Sequence, residues 1–193
     1  LPKGERGGNL DDPSLDPFWE TAAKLGAAVV MHPMFVCGEP RLADYDLVLE
    51  RPEDATKLEE FFQTKGFLLG KKPIQTHRIV AAGAIFDLTF LPNHIDQDLA
   101  RRDFTMNAVA YALFSREIFD PFGGLEDIRR RLIRYPRREA LKEDPLRMVK
   151  AVRHLSTLQD FSLDPELSAA ITEDGELIRR AAPERVKYEL DLI

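Results

Sequence analysis

The chain has 193 residues, enough to bury a core of its own and to suit one domain, or one domain plus the start of a second. Hydrophobic residues make up 44% and charged residues 31%, with a formal net charge of −6, which is ordinary for a globular protein and not that of a strongly basic nucleic-acid binder. No apolar run is long enough to span a bilayer and no signal peptide is visible; one cysteine, Cys37, excludes an internal disulfide and fits a reducing, cytoplasmic setting.

In chain order, Asp16 to Leu25 places Phe18, Ala22 and Ala23 at helical spacing, with Gly26 as the stop. Ala27 to Met31 is wholly apolar and predicts a buried strand. His32 to Ala43, with two prolines and Gly38, reads as a connection. Tyr45 to Leu49 predicts a second strand, and Pro52 followed by Glu53-Asp54 opens a helix through Lys65, closed by Gly66. Residues 74–82 and 84–91 alternate around Gly83 and predict a strand pair. A helix over about 99–113 should follow, then a short strand at 117–119. Helices at roughly 141–158, 164–172 and 183 to the end complete an α/β head followed by a helical region.

Several groups carry chemistry. Asp44-Tyr45-Asp46 sets two carboxylates two residues apart on a strand, so both face the same side. Like charges that close are costly unless a cation neutralises them, and Mg²⁺ prefers oxygen ligands. Asp87, in Ile85-Phe86-Asp87-Leu88-Thr89, is a carboxylate on a predicted apolar strand and supplies a third acid. An isolated Asp-x-Asp is otherwise a strand-entry motif. In Arg101-Arg102-Asp103-Phe104-Thr105-Met106-Asn107-Ala108, Arg102, Asp103 and Asn107 fall within about one helical turn and share a face, although an amphipathic helix with polar pairs gives the same spacing. Asp120-Pro121-Phe122-Gly123-Gly124 predicts a turn that permits close backbone approach, with both glycines able to take positive φ cheaply. In Glu143-Asp144-Pro145-Leu146-Arg147, Asp144 and Arg147 should stand one above the other on a helix, offering either a surface salt bridge or an acceptor and donor for a base edge. Arg129, Arg130, Arg131, Arg134, Arg137 and Arg138 form a basic block that reads equally as a phosphate attractor or a solvated helix face.

Taken in this order and at these spacings, Arg101 to Ala108, Phe119 to Asp127 and Glu143 to Met148 closely resemble the signature of the class II tRNA nucleotidyltransferases, which comprise CCA-adding enzymes and bacterial poly(A) polymerases. The resemblance spans roughly 44–193. It implies an α/β (α+β) fold: a nucleotidyltransferase-type head over 1–138 with a small mixed sheet flanked by helices, then an all-helical, truncated neck over 139–193. It implies transfer of a nucleoside monophosphate from CTP or ATP to an RNA 3′ end, that of tRNA, by a two-metal mechanism. Asp44, Asp46 and Asp87 would hold Mg²⁺; Arg102, Asp103 and Asn107 would contact ribose and triphosphate; Asp144 and Arg147 would select the base; Arg153 would add a phosphate contact. Glu184-Arg185-Val186 resembles a neck motif of the same family. CCA addition and polyadenylation share all these strings.

The start departs from that pattern. The family carries a Gly-Gly or Gly-Ser turn and an Arg-Asp helix before its Asp-x-Asp strand, whereas Val29 to Arg41 has neither. Residues 8–45 instead resemble a fragment of an amidohydrolase-superfamily, decarboxylase-like barrel through Asn9-Leu10-Asp11-Asp12-Pro13, Asp16-Pro17-Phe18-Trp19 and His32-Pro33. His32 lacks the other ligands of such a barrel, and the expectation is that this segment fills the head's first helix and strand. The alternative reading of the whole is a catalytically inert module that keeps the scaffold and nucleotide affinity.

Overall fold

A computed structural model describes residues 15–31, 43–70, 75–90 and 95–193, and for Met31, Ala43 and Asp44 the backbone alone. These residues divide into two compact units. One takes the described residues up to Ile95 together with Ala110–Phe119; the other takes Asp96–Val109 and Asp120–Ile193.

The first unit is built on a seven-stranded mixed sheet. Its strands are β1 (Ala28–Met31), β2 (Ala43–Leu49), β3 (Phe67–Leu69), β4 (Thr76–Ala81), β5 (Ala84–Phe90), β6 (Val109–Ala112) and β7 (Ile118–Phe119), in the spatial order β3-β4-β5-β2-β1-β6-β7. β2 and β5 run parallel at its centre, while β1 meets β2, and β4 meets β5, antiparallel. Alternation decides the faces. Leu47, Leu49, Phe86, Leu88 and Ile79 are at most 1% exposed, and they pack under α1 (Asp16–Lys24) and α2 (Asp54–Phe62). Phe18 fills that layer, with its ring 4.6 Å from Phe86 and 5.1 Å from Phe62. The expected helix and strand at 16–25 and 27–31 are present, and the strand pair turns at Ala82-Gly83, both at positive φ as a two-residue hairpin demands. α2 stops earlier than Gly66: Gln63 takes the left-handed conformation at its end, and the expected closure at Gly66 is replaced by β3.

The helix expected over about 99–113 is not formed. α3 (Ile95–Ala100) ends early, Thr105–Asn107 make one 3-10 turn, and Val109–Ala112 is strand. The reason lies in burial spacing. Phe104 to Met106 and Ala108 to Ala110 are all buried, two unbroken runs too wide for the single stripe an amphipathic helix turns inward, and Val109 to Tyr111 carry the branched and aromatic residues that suit a sheet.

In the second unit, α4 (Gly124–Arg129), α5 (Glu139–Glu143), α6 (Leu146–Thr157), α7 (Pro165–Asp174) and α8 (Pro183–Leu190) accompany a small parallel pair, β8 (Leu132–Ile133) and β9 (Ser162–Leu163). Its core gathers Phe104, Met106, Ile133, Leu141, Met148 and Leu167. The two adjacent glycines do different work. Gly123 has φ +73, the left-handed region that suits glycine, whereas Gly124 lies where an added Cβ would come within 2.1 Å of the Thr105 carbonyl oxygen. The expected close backbone approach is met at Gly124, and positive φ at Gly123 alone. Gly123→Ala should cost about 1 kcal/mol of unfolding free energy. Gly124→Ala should cost more than about 3 kcal/mol, because backbone must move. Urea titration of the two variants measures the difference.

Candidate nucleotidyl-transfer residues

The acids of the sheet are placed by register. Asp46 stands directly opposite Asp87 across the parallel β2–β5 pair, and Asp44 stands opposite Ile85 two residues earlier. On its other side Asp87 faces Arg78 across the β4–β5 hairpin. The guanidinium meets the carboxylate as a fork, with Nε donating to Oδ1 at 2.7 Å and Nη2 to Oδ2 at 2.6 Å. Arg78 and Asp87 side chains are 29% and 14% exposed, so the pair is partly screened from water. The Asp44 side chain lies outside the described residues. Among the described residues no three His, Cys, Asp or Glu side chains gather as a metal cage. The donors present are nonetheless all carboxylate oxygens on neighbouring strands, the chemistry a hard divalent ion takes, and the guanidinium fork on Asp87 already supplies positive charge there.

The Arg101 to Asn107 string is arranged around two carboxylates rather than on one helical face. Asp98, in α3, is without solvent contact, and it accepts from Arg101 and from Arg102, whose Nε and Nη2 lie 3.1 and 2.9 Å from Oδ2. Asp103 accepts from its neighbour's amide, from Asn107 Nδ2 at 2.8 Å and from Lys150 Nζ at 3.3 Å. Burial raises the Asp103 carboxyl, but the Lys150 charge, the Asn107 hydrogen bond and the Arg147 charge together outweigh it and hold the group below the ordinary aspartate value. Asp103 and Asn107 are thus brought together as expected, while Arg102 turns to Asp98 instead of sharing their face.

Asp144 and Arg147 diverge. Asp144 lies in extended backbone between α5 and α6, and its carboxylate accepts from the Leu146 amide at 3.3 Å and from Arg185 Nη2, on α8, at 3.0 Å. Arg147, in the first turn of α6, donates to the carbonyls of Arg101 at 2.6 Å, Arg102 at 3.4 Å and Ala140 at 3.1 Å. The stacked pair expected on one helix is corrected: Pro145 interrupts the helix between them, and the guanidinium closes the free carbonyls after α3. Arg153 directs Nε to Glu189 at 2.7 Å and Nη2 to His154 at 3.2 Å.

The glycine turn is fixed by acids too. Asp120 accepts from the amides of Gly124 and Leu125 at 2.6 and 3.0 Å, starting α4. Asp127 takes the Thr105 hydroxyl at 2.6 Å and Arg134 Nε at 3.0 Å, tying the turn to the Arg101 string. Sequence reasoning missed Arg78, Asp98 and Asp127. The first was recoverable from the hairpin register about Gly83, the second from its spacing of three and four residues before the arginines.

Residues 72–134 match the family model described as the poly A polymerase head domain. The A-adding tRNA nucleotidyltransferase of Deinococcus radiodurans is 34% identical over 92% of this chain. The Thermotoga maritima CCA-adding enzyme, solved with tRNA, superposes on 94% of the chain with a TM-score of 0.75 and 25% identity. The Bacillus stearothermophilus CCA-adding enzyme, solved with CTP, superposes on 94% with a TM-score of 0.71 and 31% identity. Together these matches support the class II tRNA nucleotidyltransferase family for this chain. It spans 41% of the Deinococcus protein and 47% and 48% of the two solved chains. The head-domain match takes in Asp87, the Arg101 string and the glycine turn, while Asp44, Asp46, Asp144 and Arg147 lie outside it. The coverage of the Deinococcus match leaves too few residues aside to omit the whole of 8–45.

His154 offers a test of the second unit. Burial, and then the Arg153 charge, push its pKa down to about 4, and among the described residues its Nδ1 has no hydrogen-bond partner. Its ring meets Phe104 edge-on at 5.4 Å. An unfolded histidine titrates near 6.5, so the unfolded state binds the extra proton between about pH 6.5 and 4 and stability falls with pH across that window. Asp103, lowered below the aspartate value, loses its contribution only at more acid pH. His154→Phe should flatten the slope between pH 6.5 and 4 in urea unfolding and leave the more acid limb intact.

Proposed function

We propose that this chain carries the catalytic part of a template-independent RNA nucleotidyltransferase, which transfers CMP or AMP from CTP or ATP to an RNA 3′ end, that of tRNA, with release of pyrophosphate. The observation that carries the reading is the Asp46–Asp87 pair in direct parallel register, with Asp44 two positions before it. The solved relatives with CTP and with tRNA support the partner classes. No described helix is long and apolar enough to cross a membrane, and we place the reaction in the cytoplasm.

Asp44, Asp46 and Asp87 would hold the divalent ions, Mg²⁺ by their hardness as oxygen donors. When bound, such ions favour ionisation of the RNA 3′ hydroxyl and offset charge on the triphosphate and the leaving pyrophosphate. The chain's own groups supply binding and orientation. Asp103, kept ionised by Lys150 and Asn107, is an acceptor for a ribose hydroxyl, and Asn107 and Arg102 donate to ribose and phosphate oxygens. Asp144 offers acceptors and Arg147 its unused N–H donors to a base edge, so that cytosine and adenine are told apart by protein groups. Arg147 keeps those donors oriented because its other N–H groups are anchored on three carbonyls. Arg153 meets a phosphate on leaving Glu189. The second reading, an inert scaffold, draws on the absence of a glycine pair from Val29 to Arg41 and on the ion pairs that engage Asp87 and Asp144.

Purified chain, Mg²⁺, labelled CTP or ATP and an RNA primer decide between them. The Asp44→Ala/Asp46→Ala variant should lower incorporation at least about a hundredfold. Nucleotide binding without any incorporation by the unaltered chain selects the inert scaffold. In the same assay Asp144→Ala should narrow the ratio of CTP to ATP incorporation toward unity while incorporation persists.

A further inference from the structure

The row Arg78–Asp87–Asp46 crosses three adjacent strands, one residue from each, by direct register. Neighbouring strands lie about 4.8 Å apart, so a positive group stands within two strand spacings of the position proposed for a divalent ion. The fork between Arg78 and Asp87 uses both carboxylate oxygens at 2.7 and 2.6 Å. It forms inside one hairpin whose two-residue turn leaves the register no freedom, so the contact is built into the strand pair and not left to a mobile side chain meeting another by chance. Two facts follow. A divalent ion at Asp46 and Asp87 must share or take an oxygen that the guanidinium already holds, and it must sit beside a fixed like charge.

We propose that Arg78 is a built-in competitor for Asp87, a protein cation that holds the carboxylate while the metal is away and yields it when the metal arrives. This inference rests on the metal reading given above. In the metal-free chain the fork removes the repulsion between Asp87 and Asp46 that unpaired carboxylates on facing positions would suffer. It thereby stabilises the empty sheet and weakens metal binding by the same contact. The opposite role is equally concrete and gives the opposite sign: an arginine that only orients Asp87 as a ligand would strengthen metal binding.

The test is a titration of the whole chain with Mn²⁺ alone, without nucleotide, followed by calorimetry and by the electron paramagnetic signal of the bound ion. Arg78→Met keeps the length of the side chain and removes its charge and donors. It should bind Mn²⁺ at least about fivefold more tightly than the unaltered chain and melt at a lower temperature when metal-free. The gain should vanish in Arg78→Met/Asp87→Asn, since there is then no carboxylate to release. Arg78→Lys, which keeps the charge and folds with the least disturbance, should bind more tightly than the unaltered chain and less tightly than Arg78→Met. Equal or weaker Mn²⁺ binding by a folded Arg78→Met overturns the competition while leaving the metal site standing. A gain that survives Asp87→Asn also overturns it, because the effect would then be charge acting at a distance. Loss of Mn²⁺ binding in Asp46→Asn supports the site itself; absence of Asp46-dependent binding in both the unaltered chain and Arg78→Met overturns the metal reading and this inference with it.

Discussion

Asp98 has no contact with water, and both guanidiniums of the Arg101-Arg102 pair close on it. A carboxylate removed from solvent costs several kcal/mol unless charge and N–H donors replace the lost hydration. Two arginines on one aspartate meet that demand and leave an excess of one positive charge in the same turn. The turn is then closed from the carbonyl side, where Arg137 donates to Ala100 and Arg147 to Arg101 and Arg102. A single buried acid therefore explains why α3 ends where it does, and why the motif after it is an irregular loop with fixed side chains. The same economy recurs at Asp127, which receives Thr105 and Arg134 and keeps the glycine turn against Thr105.

Much of the first unit was legible because alternation and turn chemistry are local. Apolar residues at every second place in Tyr45 to Leu49 and Ala84 to Phe90 gave the strands, and Gly83 gave the hairpin; from the hairpin alone the facing of Arg78 and Asp87 follows. The parallel partnership of β2 with β5 is not local and needs the intervening chain to be packed before it exists. Residues 99–113 failed for a related reason. Their composition suits a helix, yet Phe104 and Met106 are drawn into a core that includes Leu141 and Met148, far along the chain, and Thr105 between them is buried as well. The pairing of Asp144 with Arg147 failed for a local reason that was in view: Pro145 allows a helix to begin but not to continue through it.

The start of the chain shows how much of a head can be kept without its expected turn. α1 lays Phe18 and Ala22 against the sheet, and β1 pairs with β2 from Ala28 to Val30. The aromatic layer of Phe18, Trp19, Tyr45, Phe62 and Phe86 depends on that helix, since ring pairs of this kind add to the area they bury. The helix and strand thus hold the face of β2 opposite Asp46, while the residues between Met31 and Ala43, where the glycine pair is missing, lie outside the described structure.

The basic block resolves differently from either reading offered by its sequence. It is not one helical face: it runs from the end of α4 through β8 and into α5, and five of its arginines have acidic partners. Those pairs are not equivalent. Arg134 is held by Asp127, whose side chain is 4% exposed, and by the Phe122 carbonyl, so its loss would uncover a buried acid. Arg129 and Arg131 pair at the surface with Glu126 and Asp160, where such contacts are worth about 0–1 kcal/mol. A phosphate backbone outbids a surface carboxylate of that strength, since it presents a denser row of negative charge. A net charge of −6 therefore does not describe these exposed arginines, whose acidic partners are held weakly, whereas buried Asp98 and Asp127 hold theirs firmly.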